Sequence, residues 1–152
     1  MALMAYWTFK AYQNDMAAGW DLSFNSRQRR LHTAISPGER LWIVGPRPAQ
    51  GGWEYVLRAC LWISELVENG SEHPYGPFGV IGDSRFSAEF APDGPEMSEV
   101  LLALEFAPRK PIKSRAAIAM SLQTIRSLSA EDDVRLLNWA KSLQHVALPD
   151  FE

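Results

Sequence analysis

The sequence predicts an α+β fold, a curled and mainly antiparallel sheet or a small β-barrel flanked by helices, in a single domain over residues 1–152. Three observations predict it. Short segments rich in aromatic and β-branched residues recur between Tyr6 and Phe106, punctuated by Gly- and Pro-containing turns. A capped amphipathic helix follows them. The length of 152 residues suits one full-sized domain and not two.

Tyr6-Trp7-Thr8-Phe9-Lys10 alternates with a period of two and reads as the first strand. Asn25 or Ser26 is placed to cap a short helix through Arg27–Ala34, which Ser36-Pro37-Gly38 ends. Arg40–Val44 is the next strand, Pro46 to Gly52 a loop, and Trp53–Ile63 a long strand antiparallel to it, buried on both sides or bent. Asn69 to Gly79 is a Gly/Pro-rich connection. Phe78–Ile81, Phe86–Phe90 and Val100–Phe106 read as further strands. The segment from Ile118 to Leu128 fits a helix and a strand equally. Ser129-Ala130-Glu131-Asp132 is a helix start, and Leu136, Trp139, Ala140 and Leu143 give an apolar stripe from about Ala130 to Gln144.

The composition, 47% hydrophobic and 22% charged, is that of a globular chain and excludes disorder as its main description. The longest apolar runs are too short to cross a bilayer, and Met1–Ala5 lacks the features of a signal peptide, so no membrane partner is expected. Cys60 stands alone, which points to a reducing, cytoplasmic setting. No phosphate-binding glycine loop or G-x-S-x-G elbow occurs. His32, His73 and His145 are scattered and, with one cysteine, offer no zinc-ligand spacing. Asp132 and Asp133 are explained by the helix start, and Cys60 by burial in a strand. The sequence therefore predicts no catalytic residues, no cofactor and no metal.

The net charge of −3 argues against a protein that coats nucleic acid by charge alone, but its distribution is uneven. Ala11 to Gln50 holds five arginines against three acids, and Glu105 to Arg115 holds four cations against one acid. Gly51 to Leu104 holds nine acids against Arg58 and Arg85. Arg27, Arg29 and Arg30, with Arg109, Lys110, Lys113 and Arg115, are the candidate phosphate ligands; as single clusters they also fit ordinary solubility charge. Trp7, Tyr12, Trp20 and Phe24 are interleaved with Lys10, Asn14, Asn25 and Ser26. Core packing accounts for some of these rings, Trp7 or Phe9 first. Trp20 lies in a loop-like Gly19-Trp20-Asp21, and rings beside amides have what is needed to stack on a flat heterocycle and read its edge.

Ala5-Tyr6-Trp7-Thr8-Phe9-Lys10 resembles the opening strand of EVE domains, members of the PUA-like group that also holds YTH and ASCH domains. Ile35–Val44, with Gly38-Glu39 at the family's Gly-Asp/Glu position, resembles their second strand. Tyr55–Ile63 is similar to the long strand, Val100–Phe106 before Pro108 and Pro111 to the late strand, and Ser121–Ser129 to the closing segment. Lys10-Ala11-Tyr12 is nearer the Lys-Ser-Tyr of YTH domains than the Ser-Glu-Pro that follows Lys in EVE domains.

The resemblance implies a reader that holds a modified or flipped base in an aromatic pocket. By position Lys10, Tyr12 and Asn14 would flank it, Trp20 or Phe24 would wall it, and Asn25, Ser26 and Arg27 would reach base edges or phosphate. The implied partner is DNA or RNA carrying a modified base, in a restriction or RNA-modification system whose nuclease or motor is a separate chain. The alternative is a small-molecule or protein-interaction module that uses the same pocket without nucleic acid.

Overall fold

The structure is a computed structural model and describes residues 1–143 and 145–147. The strands are β1 (Leu3–Tyr6), β2 (Ser23–Ser26), β3 (Arg40–Ala49), β4 (Gly52–Glu68), β5 (Phe78–Gly82), β6 (Ala88–Phe90), β7 (Arg126–Ser127) and β8 (His145–Ala147). The helices are α1 (Phe9–Ala17), α2 (Arg30–Thr33), α3 (Ser98–Ala103), α4 (Ile118–Leu122) and α5 (Ala130–Ala140). The sheet runs β2-β5-β4-β3-β1-β7, with β6 against β4 and β8 against β6. All pairs are antiparallel except β1 with β3, where Leu3 to Tyr6 lie beside Leu41 to Val44. The fold is thus α+β with a mixed sheet, and the sheet does not close into a barrel.

Alternation along β1 and β3 separates two cores, as the period of a strand requires. Met4, Trp42 and Val44 face α3, α4 and α5 and pack with Leu101, Ile118 and Leu136. Leu3, Ala5, Leu41 and Ile43 face the other way, with Trp7, Phe24, Leu31 and Ile125. Cys60 is buried, and burial pushes its thiol well above the usual range, so it is an inert core residue.

Several elements differ from the sequence expectation. The first strand ends at Tyr6, because Thr8 is a helix cap whose Oγ1 accepts a hydrogen bond from the Ala11 N–H at 3.3 Å. Lys10, Tyr12 and Asn14 are therefore helical. Asn25 and Ser26 belong to β2 and do not cap a helix over Arg27–Ala34; the helix is only Arg30–Thr33, and Ser26 Oγ accepts from the Gln28 N–H at 3.0 Å. Pro46 and Pro48 lie inside β3 and not in a loop. Beyond Val44 that strand has no β1 partner, so its outer side asks for no N–H donor. Val100–Phe106 is not a strand: Ser98–Ala103 is helical and buries Leu101, with Leu104 buried just beyond it. A short run of Leu and Ala carries no period that separates helix from buried strand. Of Phe86–Phe90 only Ala88–Phe90 is a strand. Ile118 to Leu128 is both, a helix and then β7.

The expected C-terminal helix starts at Ala130 behind Ser129 and ends at Ala140; Gln144 lies outside the described residues. Its capping box is complete. Ser129 Oγ accepts from the Asp132 N–H, and Asp132 accepts from the Ser129 N–H, both at 3.1 Å. Asp132 is fully buried and also accepts from the backbone N–H of Glu105 at 2.8 Å and of Phe106 at 2.7 Å. Phe106 has a left-handed φ of 64°, so this carboxylate holds a strained exit from α3 as well as the start of α5. Asp132→Ala leaves three backbone donors without their acceptor. Charge-assisted bonds contribute about 1.5–3 kcal/mol each when lost from a buried site, so the variant should lose at least ~3 kcal/mol. A fall in the urea midpoint at unchanged m-value is the expected measurement.

Candidate ligand cleft

A cleft of about 290 Å³ opens on the Trp7 side of the sheet, where four distant segments meet. Tyr6, Trp7 and Thr8 leave β1, and Ala11 and Asp15 follow from α1. Phe24 to Gln28 come from β2 and the turn after it, Pro74 and Tyr75 from the β4–β5 connection, and Leu122, Gln123 and Ile125 from the approach to β7. Thr8, Ala11 and Asp15 stand at i, i+3 and i+7, one face of α1.

The rings are fixed from behind. Trp7 is 3% exposed, and its Nε1 donates to Asp15 at 3.0 Å. Trp20 packs against it at 5.0 Å between ring centroids and donates its own Nε1 to the Ser23 carbonyl at 2.8 Å. Phe24 is nearly buried in the floor. Tyr75 stands on the rim, and its hydroxyl accepts from Asn14 Nδ2 at 3.3 Å. That rim needs Gly76, since a Cβ there would sit 2.4 Å from the Ser26 and Arg27 backbone, and its φ is +116°.

The polar groups come from both walls. Gln28 Nε2 donates to the Gln123 carbonyl at 2.7 Å, and its Oε1 accepts from the Ile125 N–H at 2.8 Å, tying the β2 turn to the approach to β7. Asn25 Oδ1 accepts from Asn69 Nδ2 at 2.8 Å. Asp15 is the one carboxylate lining the cleft. Burial pushes its carboxyl up; the Trp7 donor opposes this, Asp21 adds to it and His73 offsets it, with a net upward shift.

Of the residues expected at the pocket, Phe24, Asn25, Ser26 and Arg27 line it. Lys10, Tyr12, Asn14 and Trp20 do not. Lys10 is exposed on α1, Asn14 supports the rim through Tyr75, and Trp20 backs Trp7. Tyr12 turns its ring to Arg58, 3.8 Å from the guanidinium carbon. Sequence reasoning missed Asp15, Gln28 and Tyr75. The helical spacing from Thr8 points to Asp15, whereas Tyr75 carries no local signal because only tertiary approach brings it in.

The basic residues divide. Arg109 is 3.6 Å from Glu105, and Arg115 is 3.5 Å from Glu96. Burial pushes the Glu96 carboxyl up, but bonds from Ser98 and the Tyr55 N–H, with Arg115 beside it, hold it below its usual range. Arg27 donates to the Pro74 carbonyl at 3.2 Å, Arg29 lies 5.3 Å over the Phe78 ring, and Arg30 donates to Ser127 Oγ. Among the described residues none of these three, nor Lys110 or Lys113, has a carboxylate within ion-pair distance. The two expected clusters thus differ in how far acids neutralise them.

Among the described residues no three His, Cys, Asp or Glu side chains group to hold a metal ion, and no helix is long and apolar enough to cross a membrane. The molecule is an α+β protein with an open mixed sheet and a ring-floored, amide-edged cleft on one of its faces. The chain matches no known family model and no curated protein.

An acid whose carboxyl is raised by folding favours the protonated form in the native state. Its contribution is therefore greatest below the ordinary carboxylate range and is lost as pH rises through the raised value. Asp15→Asn should gain stability relative to the wild type at pH 7, and the gain should vanish at acid pH, read as the difference in Tm at the two conditions.

Proposed function

We propose that the chain is a nucleic-acid-binding reader that holds a modified or flipped base in this cleft, as its sequence resemblance to EVE, YTH and other PUA-like domains implies. The observation that carries the reading is the make-up of the recess. It joins an indole and a phenyl floor to a carboxylate and the amides of Asn25, Gln28 and Gln123, which suits stacking on a heterocycle and reading its hydrogen-bonding edge. Its volume of about 290 Å³ lies at the small end of ligand sites, which span roughly 300–1,000 Å³, and favours one base over a larger cofactor.

Charge also favours nucleic acid over the alternative of a small-molecule or protein-interaction module. The acidic stretch from Gly51 to Leu104 sends only Pro74 and Tyr75 to the rim and no carboxylate into the cleft, while Arg27 stands at its mouth. Binding reads base identity in the cleft and adds backbone contacts outside it. Cleavage or unwinding belongs to a separate nuclease or motor chain.

The test is titration with single- and double-stranded oligonucleotides, with and without modified bases, followed by quenching of tryptophan fluorescence. Tyr75→Ala removes a rim ring outside both cores, so it should weaken binding by ~1–3 kcal/mol while leaving the Tm in place. Loss of preference among base modifications should accompany it. Equal affinity of the variant and the wild type for every strand, or no quenching by any of them, would sink the reading.

A further inference from the structure

The cations without an acidic partner are joined by contacts that lead from the cleft over the edge of the sheet. The β2 turn and the approach to β7 run side by side, tied by the two Gln28 bonds. Two residues on, Arg30 reaches Ser127 Oγ on β7. The neighbouring Arg126 stacks 3.8 Å over the Phe106 ring and donates to the Lys110 carbonyl. β7 ends the sheet; Ser127 pairs with Leu3 of one core and Arg126 with Met4 of the other, so Arg27, Arg30, Arg126 and Lys110 pass from the cleft mouth over this edge strand to the turn after α3. Arg27, Arg30 and Lys110 are exposed and Arg126 is half-buried. Among the described residues none has an acidic partner, whereas Arg40, Arg47, Arg85, Arg109 and Arg115 all do.

A guanidinium pinned by a ring, a hydroxyl or a carbonyl is positioned yet keeps its charge unneutralised, which is what a phosphate oxygen needs. An arginine already held by a carboxylate must give up that partner first. Resting on the base-reading proposal above, we propose that the strand whose base enters the cleft leaves it along this strip, with phosphates on Arg27, Arg30, Arg126 and Lys110. Arg109 and Arg115 are held by Glu105 and Glu96 and are not part of the strip. Arg126 is the member of the strip that charge clustering in the sequence does not mark.

The probe is a fluorescein-labelled single-stranded octanucleotide of mixed sequence, with anisotropy read between 50 and 200 mM salt on the full chain (both concentrations about where such slopes are usually measured). Each neutralised phosphate of a single strand adds roughly 0.7 to the slope of log affinity against log salt, so three to four contacts predict a slope between about −2 and −3. The double variant Arg30→Gln with Arg126→Gln should cut the slope by about 1.4, and the corresponding double lysine variant should keep it. Arg109→Gln with Arg115→Gln should leave it unchanged.

Tryptophan quenching separates this proposal from the reading it rests on. Quenching retained in the glutamine variant, with the slope reduced, supports both. Quenching with an unaltered slope overturns the strip and spares the cleft. Salt-dependent binding that is lost in the glutamine variant but never quenches, by the octanucleotide as by heparin, supports the strip and overturns base reading. A greater slope loss from the Arg109 and Arg115 pair, or no binding to any polyanion, overturns the strip.

Discussion

β4 is bonded to three strands in succession, β3 over its first part, β6 at Ala59 and Cys60, and β5 from Ile63 onward. A strand of 17 residues cannot do this while staying flat, and two register shifts let it turn. One lies between Ile43 and Val44, where Arg58 is the extra residue between Leu57 and Ala59; the other lies between Ile63 and Glu65. The first shift aims Arg58 into the structure. Its side chain is 3% exposed, one terminal nitrogen donates to the Pro46 carbonyl at 2.7 Å, and its Nε has no partner. A buried cation without a carboxylate is costly, and burial pushes its pKa down. Tyr12, stacked on it, offsets part of that cost, a contribution on the order of 2 kcal/mol for a desolvated pair.

That stack is how the cleft acquires its helical wall. α1 buries none of its residues completely, so apolar packing alone does not fix it. It is held by the Tyr12 ring on Arg58, by Asp15 on the Trp7 indole and by Asn14 on Tyr75. Thr8, Ala11 and Asp15 are thereby presented to the recess. The irregularity in the sheet and the helical wall of the recess are one arrangement, joined through a single guanidinium.

The parts of the fold legible in sequence are those with local causes. The β3–β4 pair, the turn at Pro37-Gly38 and the Ser129 cap each come from neighbouring residues that favour one conformation. The parts read wrongly are those decided at a distance. Leu101 and Leu104 sit in a run that suits helix or strand, and packing chose helix. Phe9 continues an alternation that Thr8 has already ended. At the cleft, the β2 turn from Phe24 to Arg27 was legible because rings, amides and arginine fall within a few residues. Tyr75 and Gln123 were not, because each arrives from a segment with no chemical signature of its own. Arg109 and Arg115 illustrate the converse: a basic run says nothing about which of its members tertiary contacts will neutralise.

β1 lies between β3 and β7, so the strand that delivers Trp7 to the floor is flanked by one neighbour from early in the chain and one from late. As the polypeptide emerges, at roughly 5–20 residues per second, β1 and β3 can pair soon after synthesis, but the wall from Leu122 to Ile125 is added only after β4, β5 and β6. The recess therefore matures after the strands that carry its floor. A nascent chain carries the wall from Phe24 to Gln28 with nothing opposite it, and the recess is complete only when the far wall docks. Any ligand that fills the recess then stabilises the finished topology over every partly assembled one, by an amount set by its concentration relative to its dissociation constant.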